Sequence, residues 1–142
     1  MTDIPYWHVD AFAHRPFAGN QAAVMLLDSW PADETLVAIA AEHRFAATAF
    51  AVEDTSGTSD WELRWCTPTG EIALCGHATL ACGHVLLDRS STEQNRDRLL
   101  FRTRRSGVLE LVRSETGYEL ALPALLTEPE PYPDAVRLLG AK

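Results

Sequence analysis

Apolar and polar positions divide the chain into short runs with a period of two, two stretches with a helical period, and turns between them. Residues 7–13 (Trp-His-Val-Asp-Ala-Phe-Ala) alternate and are rich in aromatic and β-branched side chains, which predicts a strand. Pro16 and Gly19 mark residues 14–20 as a loop. Residues 21–27 are almost continuously apolar, the signature of a strand buried on both faces. After a turn at 28–31, Leu36, Val37, Ile39 and Ala40 share one stripe, so a helix is expected over 34–42 with Asp33 as its N-cap. Residues 46–52 and 60–66 read as strands joined by a Ser/Thr/Asp/Gly loop, with Trp61, Leu63 and Trp65 facing one way and Glu62 and Arg64 the other. Further strands are expected at 99–103, 108–113 and 118–122, with hairpin chemistry at Ser106-Gly107 and Thr116-Gly117.

The stretch from Cys66 to Leu87 stands out. It reads as a strand end, a tight turn at Pro68 to Gly70, a short apolar strand, and a helix that opens at Cys75-Gly76-His77 and ends near Asp88, before a polar loop over 89–97. Ala78, Leu80, Ala81, Val85 and Leu86 cover most of that helix, so it should be buried on nearly all sides. Glycine at position 76 is expected to let the backbone bend sharply. The first N–H groups of the helix then form a partly positive end suited to an anion, an enolate or a thiolate. Many antiparallel strands with two helices give an α+β fold, an antiparallel sheet wrapped around a central helix. After Leu122 the composition changes. Pro123, Pro129, Pro131 and Pro133 punctuate an acidic segment, and Asp134 is placed to cap a short helix over 135–139 that stops at Gly140. The chain thus divides into a domain at 1–123 and a Pro-rich crossover linker with a short helix at 124–142.

Charge and composition narrow the function classes. A net charge of −8 argues against nucleic acid and anionic membrane surfaces as partners. The basic cluster of Arg102, Arg104 and Arg105 reads as a solvated turn. No apolar run nears the ~20 residues that cross a bilayer, and no secretory pattern opens the sequence, so a cytoplasmic location is expected. Cys66, Cys75 and Cys82 are odd in number and lie in apolar segments, which suits reduced thiols. Cys75, His77, Cys82 and His84 do not make a metal site: positions seven apart on a helix are separated by roughly 10 Å along the axis. Phosphate-loop, dinucleotide and nucleophile-elbow motifs are absent from the sequence.

Several motifs occur together and in order: Val9-Asp-Ala-Phe-Ala, Pro16-Phe-Ala-Gly-Asn-Gln-Ala-Ala-Val, Thr67-Pro-Thr-Gly-Glu-Ile, Cys75-Gly-His-Ala-Thr-Leu-Ala, and the Gly107 hairpin running to Leu122-Pro-Ala. Together they resemble the phenazine-biosynthesis (PhzF-like) isomerase family, whose fold is that of diaminopimelate epimerase. The resemblance implies one half of a two-domain protein with its active site in the cleft between the halves. The second-domain motif, an acidic residue followed by Thr-Gly-Ser, is absent. It also implies a cofactor-independent proton shift beside a carbonyl or conjugated system in a small-molecule substrate. The family pattern Ser-Glu-Thr-Ala-Phe falls on residues 46–50, where the position of the acid/base Glu is Ala47. Loss of a positioned base costs about 10²–10⁴ in rate, so this chain is expected to be impaired.

The remaining site residues follow from the same match. Gly76 and His77 are expected to stabilise an enolate through their N–H groups, with the His77 side chain polarising substrate or relaying a proton, or only ordering the turn. Cys75 matches the thiol of diaminopimelate epimerase, and the helix start is expected to lower its pKa; the alternative is a small buried residue. Asn20 is matched to substrate contact or a turn role, and Thr67 to support of the loop opposite. The competing reading is a non-catalytic half-domain that binds a small molecule or self-associates as a homodimer across the face that a second domain would cover.

Overall fold

The computed structural model describes residues 3–90 and 96–124. The expected segment at 124–142 lies outside the described residues from 125 onward. Eight strands and two helices follow in the order β1 (Tyr6–Ala11), β2 (Asn20–Leu27), α1 (Asp33–His43), β3 (Ala47–Glu53), β4 (Trp61–Thr67), β5 (Gly70–Ile72), α2 (Gly76–Ser90), β6 (Arg98–Thr103), β7 (Val108–Ser114) and β8 (Gly117–Ala121). One sheet runs β1-β2-β3-β4-β6-β7-β8, with β5 paired to β4. It curls into a half-barrel, and α2 packs inside it against β1, β2, β3, β6 and β8.

The sheet is mixed rather than wholly antiparallel. β2 and β3 are parallel, as are β4 and β6. In each case the chain leaves one strand, makes a helix, and returns beside that strand, and such a crossover makes the pair parallel. The remaining pairs are antiparallel.

Period two decides which helix each strand residue meets. On β3, Ala47, Ala49 and Ala51 belong to the core around α2, while Phe50 and Val52 belong to the core under α1. The partner strand matches: Ala22 opposes Ala47 and Val24 opposes Ala49 on the α2 side. Met25 opposes Phe50, and Leu27 opposes Val52, on the α1 side. Helices on both faces explain why the middle of the sheet reads as nearly continuous apolar sequence. The small side chains at 22, 47, 49 and 51 let α2 lie close to the sheet. Its own Gly83 continues that logic, because a Cβ there would stand 2.7 Å from a Leu111 methyl. As expected, α2 is buried around most of its circumference, with His84, Asp88 and Arg89 exposed.

Two expectations fail for the same reason, a charge network on the α1 side. Asp33 does not cap α1. The helix begins at Asp33, Ala32 holds the N-cap position, and no side chain caps the end. The Asp33 carboxylate instead accepts from Arg64 at 2.8 Å and Arg104 at 3.1 Å, because charge-assisted bonds to two guanidinium groups outweigh a local cap. Nor is the Arg102–Arg105 cluster a merely solvated turn. Arg102 pairs with Asp54 and Glu62, and Arg104 with Asp33 and Glu71. Arg64 is buried, bonded to Glu71 through Nε at 3.0 Å and Nη2 at 2.5 Å, with its guanidinium 5.0 Å from the Trp30 ring.

Two predictions follow from the packing and the charges. Gly83→Ala gains about 1 kcal/mol of helix propensity but overpacks a filled site, a cost of roughly 1–3 kcal/mol. It should therefore be neutral to destabilising in the parent and stabilising in a Leu111→Ala background, as chemical denaturation of the four-member cycle will show. Hydrogen bonds from arginines hold the Asp33, Glu71 and Asp54 carboxyls below their ordinary pKa values, with further bonds from Ser59 and Ser56 at Asp54. Depressed folded-state values mean that this stability is present above the unfolded carboxyl range near 4 and is lost as pH falls through the folded values. The urea midpoint should drop between pH 5 and pH 2, and less steeply in Arg102→Met; equal slopes would contradict the assignment.

Candidate functional site

The residues singled out from sequence gather at one end of the half-barrel, where β2 and β3 begin, β4 ends, and α2 starts. Register places them: Ala22 pairs with Ala47, and Thr48 with Cys66, so Asn20, Ala47 and Thr67 lie at the same rim. Ala47 is fully buried, on the α2-facing side of β3 and in the same core as Cys75 and Ala78. A longer side chain at position 47 would therefore start from the face of β3 that packs against α2.

Cys75 immediately precedes the helix. Its carbonyl accepts from the Thr79 N–H at 3.1 Å and from the Thr79 hydroxyl at 2.6 Å, so a fully buried threonine ties the first turn to it. Its sulfur lies 3.4 Å from His77 Nδ1, and the nearby Ala78 N–H favours its thiolate. The expected drop in its pKa is overturned. Burial disfavours the thiolate and outweighs the Ala78 N–H, so the Cys75 pKa lies above the ordinary thiol value. Burial similarly raises Cys66 to about 11 and Cys82 to about 12. All three thiols are free.

Burial also lowers the His77 pKa, with the Gln21 backbone on β2 acting in the opposite direction. The ring is therefore neutral near pH 7, and its buried Nε2 has no hydrogen-bond partner of good geometry. The Gly76 and His77 N–H groups, first in the helix, have no intrahelical acceptor. Gly76 does not have a positive φ, so it is not required for a sharp bend. A Cβ there would meet only Leu122 Cδ1, at an ordinary contact distance of 3.9 Å, so the surroundings leave room for one.

Asn20 is exposed at the start of β2. The loop before it is locked. The Phe17 N–H donates to the Asp10 carboxylate at 3.1 Å, and a Cβ on Gly19 would lie 2.6 Å from the Ala11 carbonyl oxygen. The Thr67 hydroxyl is committed to its own turn, donating to the Gly70 carbonyl at 3.1 Å and accepting from the Thr69 N–H at 3.3 Å. Cys82 and His84 do not join the cluster. Cys82 is fully buried, whereas exposed His84 bonds the Tyr118 hydroxyl at 2.7 Å. Among the described residues no three His, Cys, Asp or Glu side chains are grouped to hold a metal ion, and no helix is long and apolar enough to cross a membrane.

Comparison with known proteins agrees with this geometry. The family described as phenazine biosynthesis-like protein (PhzC-PhzF) matches residues 9–135. An uncharacterized isomerase of Pseudomonas aeruginosa is 45% identical over 121 residues, covering 85% of this chain and 44% of the relative. A mouse phenazine biosynthesis-like domain-containing protein is 36% identical over 143 residues, covering 97% of this chain and 49% of the relative. The crystal structure of a PhzF-family protein from Enterococcus faecalis superposes with a TM-score of 0.82 at 40% identity, over 98% of this chain and 52% of that one. A predicted epimerase from Pseudomonas aeruginosa, 24% identical with a TM-score of 0.63 over 82% of this chain and 41% of that one, shares the fold. The chain spans about half the length of the curated relatives it matches. With the motifs, the half-barrel and these likenesses in agreement, the chain belongs to the PhzC-PhzF family of phenazine biosynthesis-like proteins.

Proposed function

We propose that this chain supplies one wall of a cofactor-independent isomerase or epimerase site that shifts a proton beside a carbonyl or conjugated system in a small-molecule substrate. The N–H groups of Gly76 and His77 stabilise the developing enolate, the neutral His77 ring polarises the substrate or relays a proton, and Asn20 contacts the substrate from the facing strand. Cys75 is a thiol held protonated at rest, so it is not poised to act as a base. Thr67 shapes the rim. The acid/base position is Ala47, and the site is impaired for that reason; the facing wall of the cleft is supplied by another domain or another copy. The single observation that carries this reading is the placement of Ala47 on the α2-facing side of β3, in one core with Cys75 and Ala78. The reading includes a cytoplasmic location, in keeping with three free thiols.

A second reading, a self-associating or small-molecule-binding half-domain without catalysis, is favoured by one feature. Phe12 and Phe17 are 73% and 98% exposed, and both have left-handed backbones. Two large apolar side chains presented on a locked loop suit a covering partner. Light scattering at micromolar concentration separates the cases: a mass of one chain counts against self-association.

Solvent-deuterium incorporation into a panel of small α-substituted and unsaturated carboxylic acids, read by mass spectrometry, tests the first reading. The parent should exchange near background, and Ala47→Glu should raise the rate at least about tenfold, within the span expected of a positioned base. Substantial exchange by the parent, not increased by the substitution, would refute the impaired site. The raised Cys75 pKa predicts that its alkylation by iodoacetamide climbs about tenfold per pH unit from 7 to 9. A plateau below pH 8 would show a thiol activated after all.

A further inference from the structure

The segment that delivers the chain into Cys75-Gly76-His77 lacks a strand partner at its last step. β5 ends at Ile72, and Ala73 and Leu74 lie between it and the helix start. What holds this approach is the turn between β6 and β7. The Arg105 guanidinium donates through Nη2 to the Glu71 carbonyl at 3.1 Å, and the Ser106 hydroxyl donates to the Ala73 carbonyl at 2.7 Å. The Glu71 side chain is gripped separately by Arg64 and Arg104. The turn itself is tied in place. The Thr103 hydroxyl donates to the Gly107 carbonyl at 2.8 Å and accepts from the Ser106 N–H at 2.9 Å, and Gly107 adopts φ +71°.

We propose that Ser106 and Arg105 are positioning residues for the site: a two-pronged clip, 33 and 34 residues along the chain from the carbonyls it holds, that fixes where Cys75, Gly76 and His77 sit. Ala73 is two residues before the thiol and four before the imidazole. A hydroxyl and a guanidinium here take over the role that a hydrogen-bonded strand would otherwise play. Displacement of reacting groups by about 1 Å costs up to 10²-fold in rate, so an approach held by two side chains is a sensitive point. The inference rests on the reading of the helix start as the site, yet it has a readout independent of any turnover. Cys75 is 8% exposed, whereas Cys66 and Cys82 are fully buried, so Cys75 reports the looseness of this turn.

The test is residue-resolved alkylation of the three cysteines by iodoacetamide at pH 8, followed by mass spectrometry, in the full chain. Ser106→Ala and Arg105→Ala should each accelerate Cys75 about tenfold while Cys66 and Cys82 keep the parent rate, and Ser106→Thr should restore the Cys75 rate because it keeps the hydroxyl. An unchanged Cys75 rate in both variants overturns the clip. So does equal acceleration of all three thiols in Arg105→Ala, whose exposed side chain is removed without opening the core, because that reports global loosening. Failure of the isomerase reading shows itself differently, as absence of proton exchange in Ala47→Glu with the Cys75 pattern intact.

Discussion

Burial of one apolar helix against a stripe of small side chains is the constraint on which the rest depends. Ala22, Ala47, Ala49 and Ala51 line the sheet beneath α2, and Gly83 meets Leu111 on the far side. Close approach draws β1, β2, β3, β6 and β8 around one axis, so the sheet curls. It also sets the start of α2 at the rim where β2 and β3 begin. The site is a by-product of this packing: free helix N–H groups, a buried thiol and a half-buried imidazole arrive together because the helix has only one place to begin.

The same packing sets the chemistry of the groups it delivers. A helix N-terminus favours an anion, but at Cys75 desolvation is the larger influence, and the thiol stays protonated. His77 is held neutral by the same burial. On the reading proposed above, such a site would stabilise charge that develops on a bound substrate rather than carry charge of its own. The position that the family resemblance assigns to the base holds a methyl group, at Ala47. On the opposite face the charge network of Arg64, Arg102 and Arg104 with Asp33, Glu62 and Glu71 fastens α1, β4, β5 and β6 to one another. Through Glu71 it reaches the segment that enters the helix.

Local features were legible in the sequence, and long-range pairings were not. Strand and helix periods located every described element within a few residues, because alternation and the 3.6 period are imposed by burial itself. The core helix and the Cys75-Gly76-His77 turn were readable for that reason, and family resemblance pointed to Ala47. Asp33 was misread because a cap is a local pattern, whereas its actual partners lie 31 and 71 residues away. The parallel pairs were hidden because period two carries no direction. The parts played by Ser106 and Arg105 left no local signal, since a serine and an arginine beside Gly107 also make an ordinary turn. The lowered thiol pKa failed because sequence shows the helix end but not the depth at which it is buried.

The central claim is that position 47 faces the start of α2, so that one side chain decides whether the site has a base. The most direct measurement is the pKa of the His77 imidazole, followed by ¹⁵N NMR in the parent and in Ala47→Glu. A carboxylate near the ring favours the imidazolium, so the account predicts a His77 pKa below its ordinary value in the parent and raised in the variant. The same His77 pKa in both, with the variant folded, would contradict it.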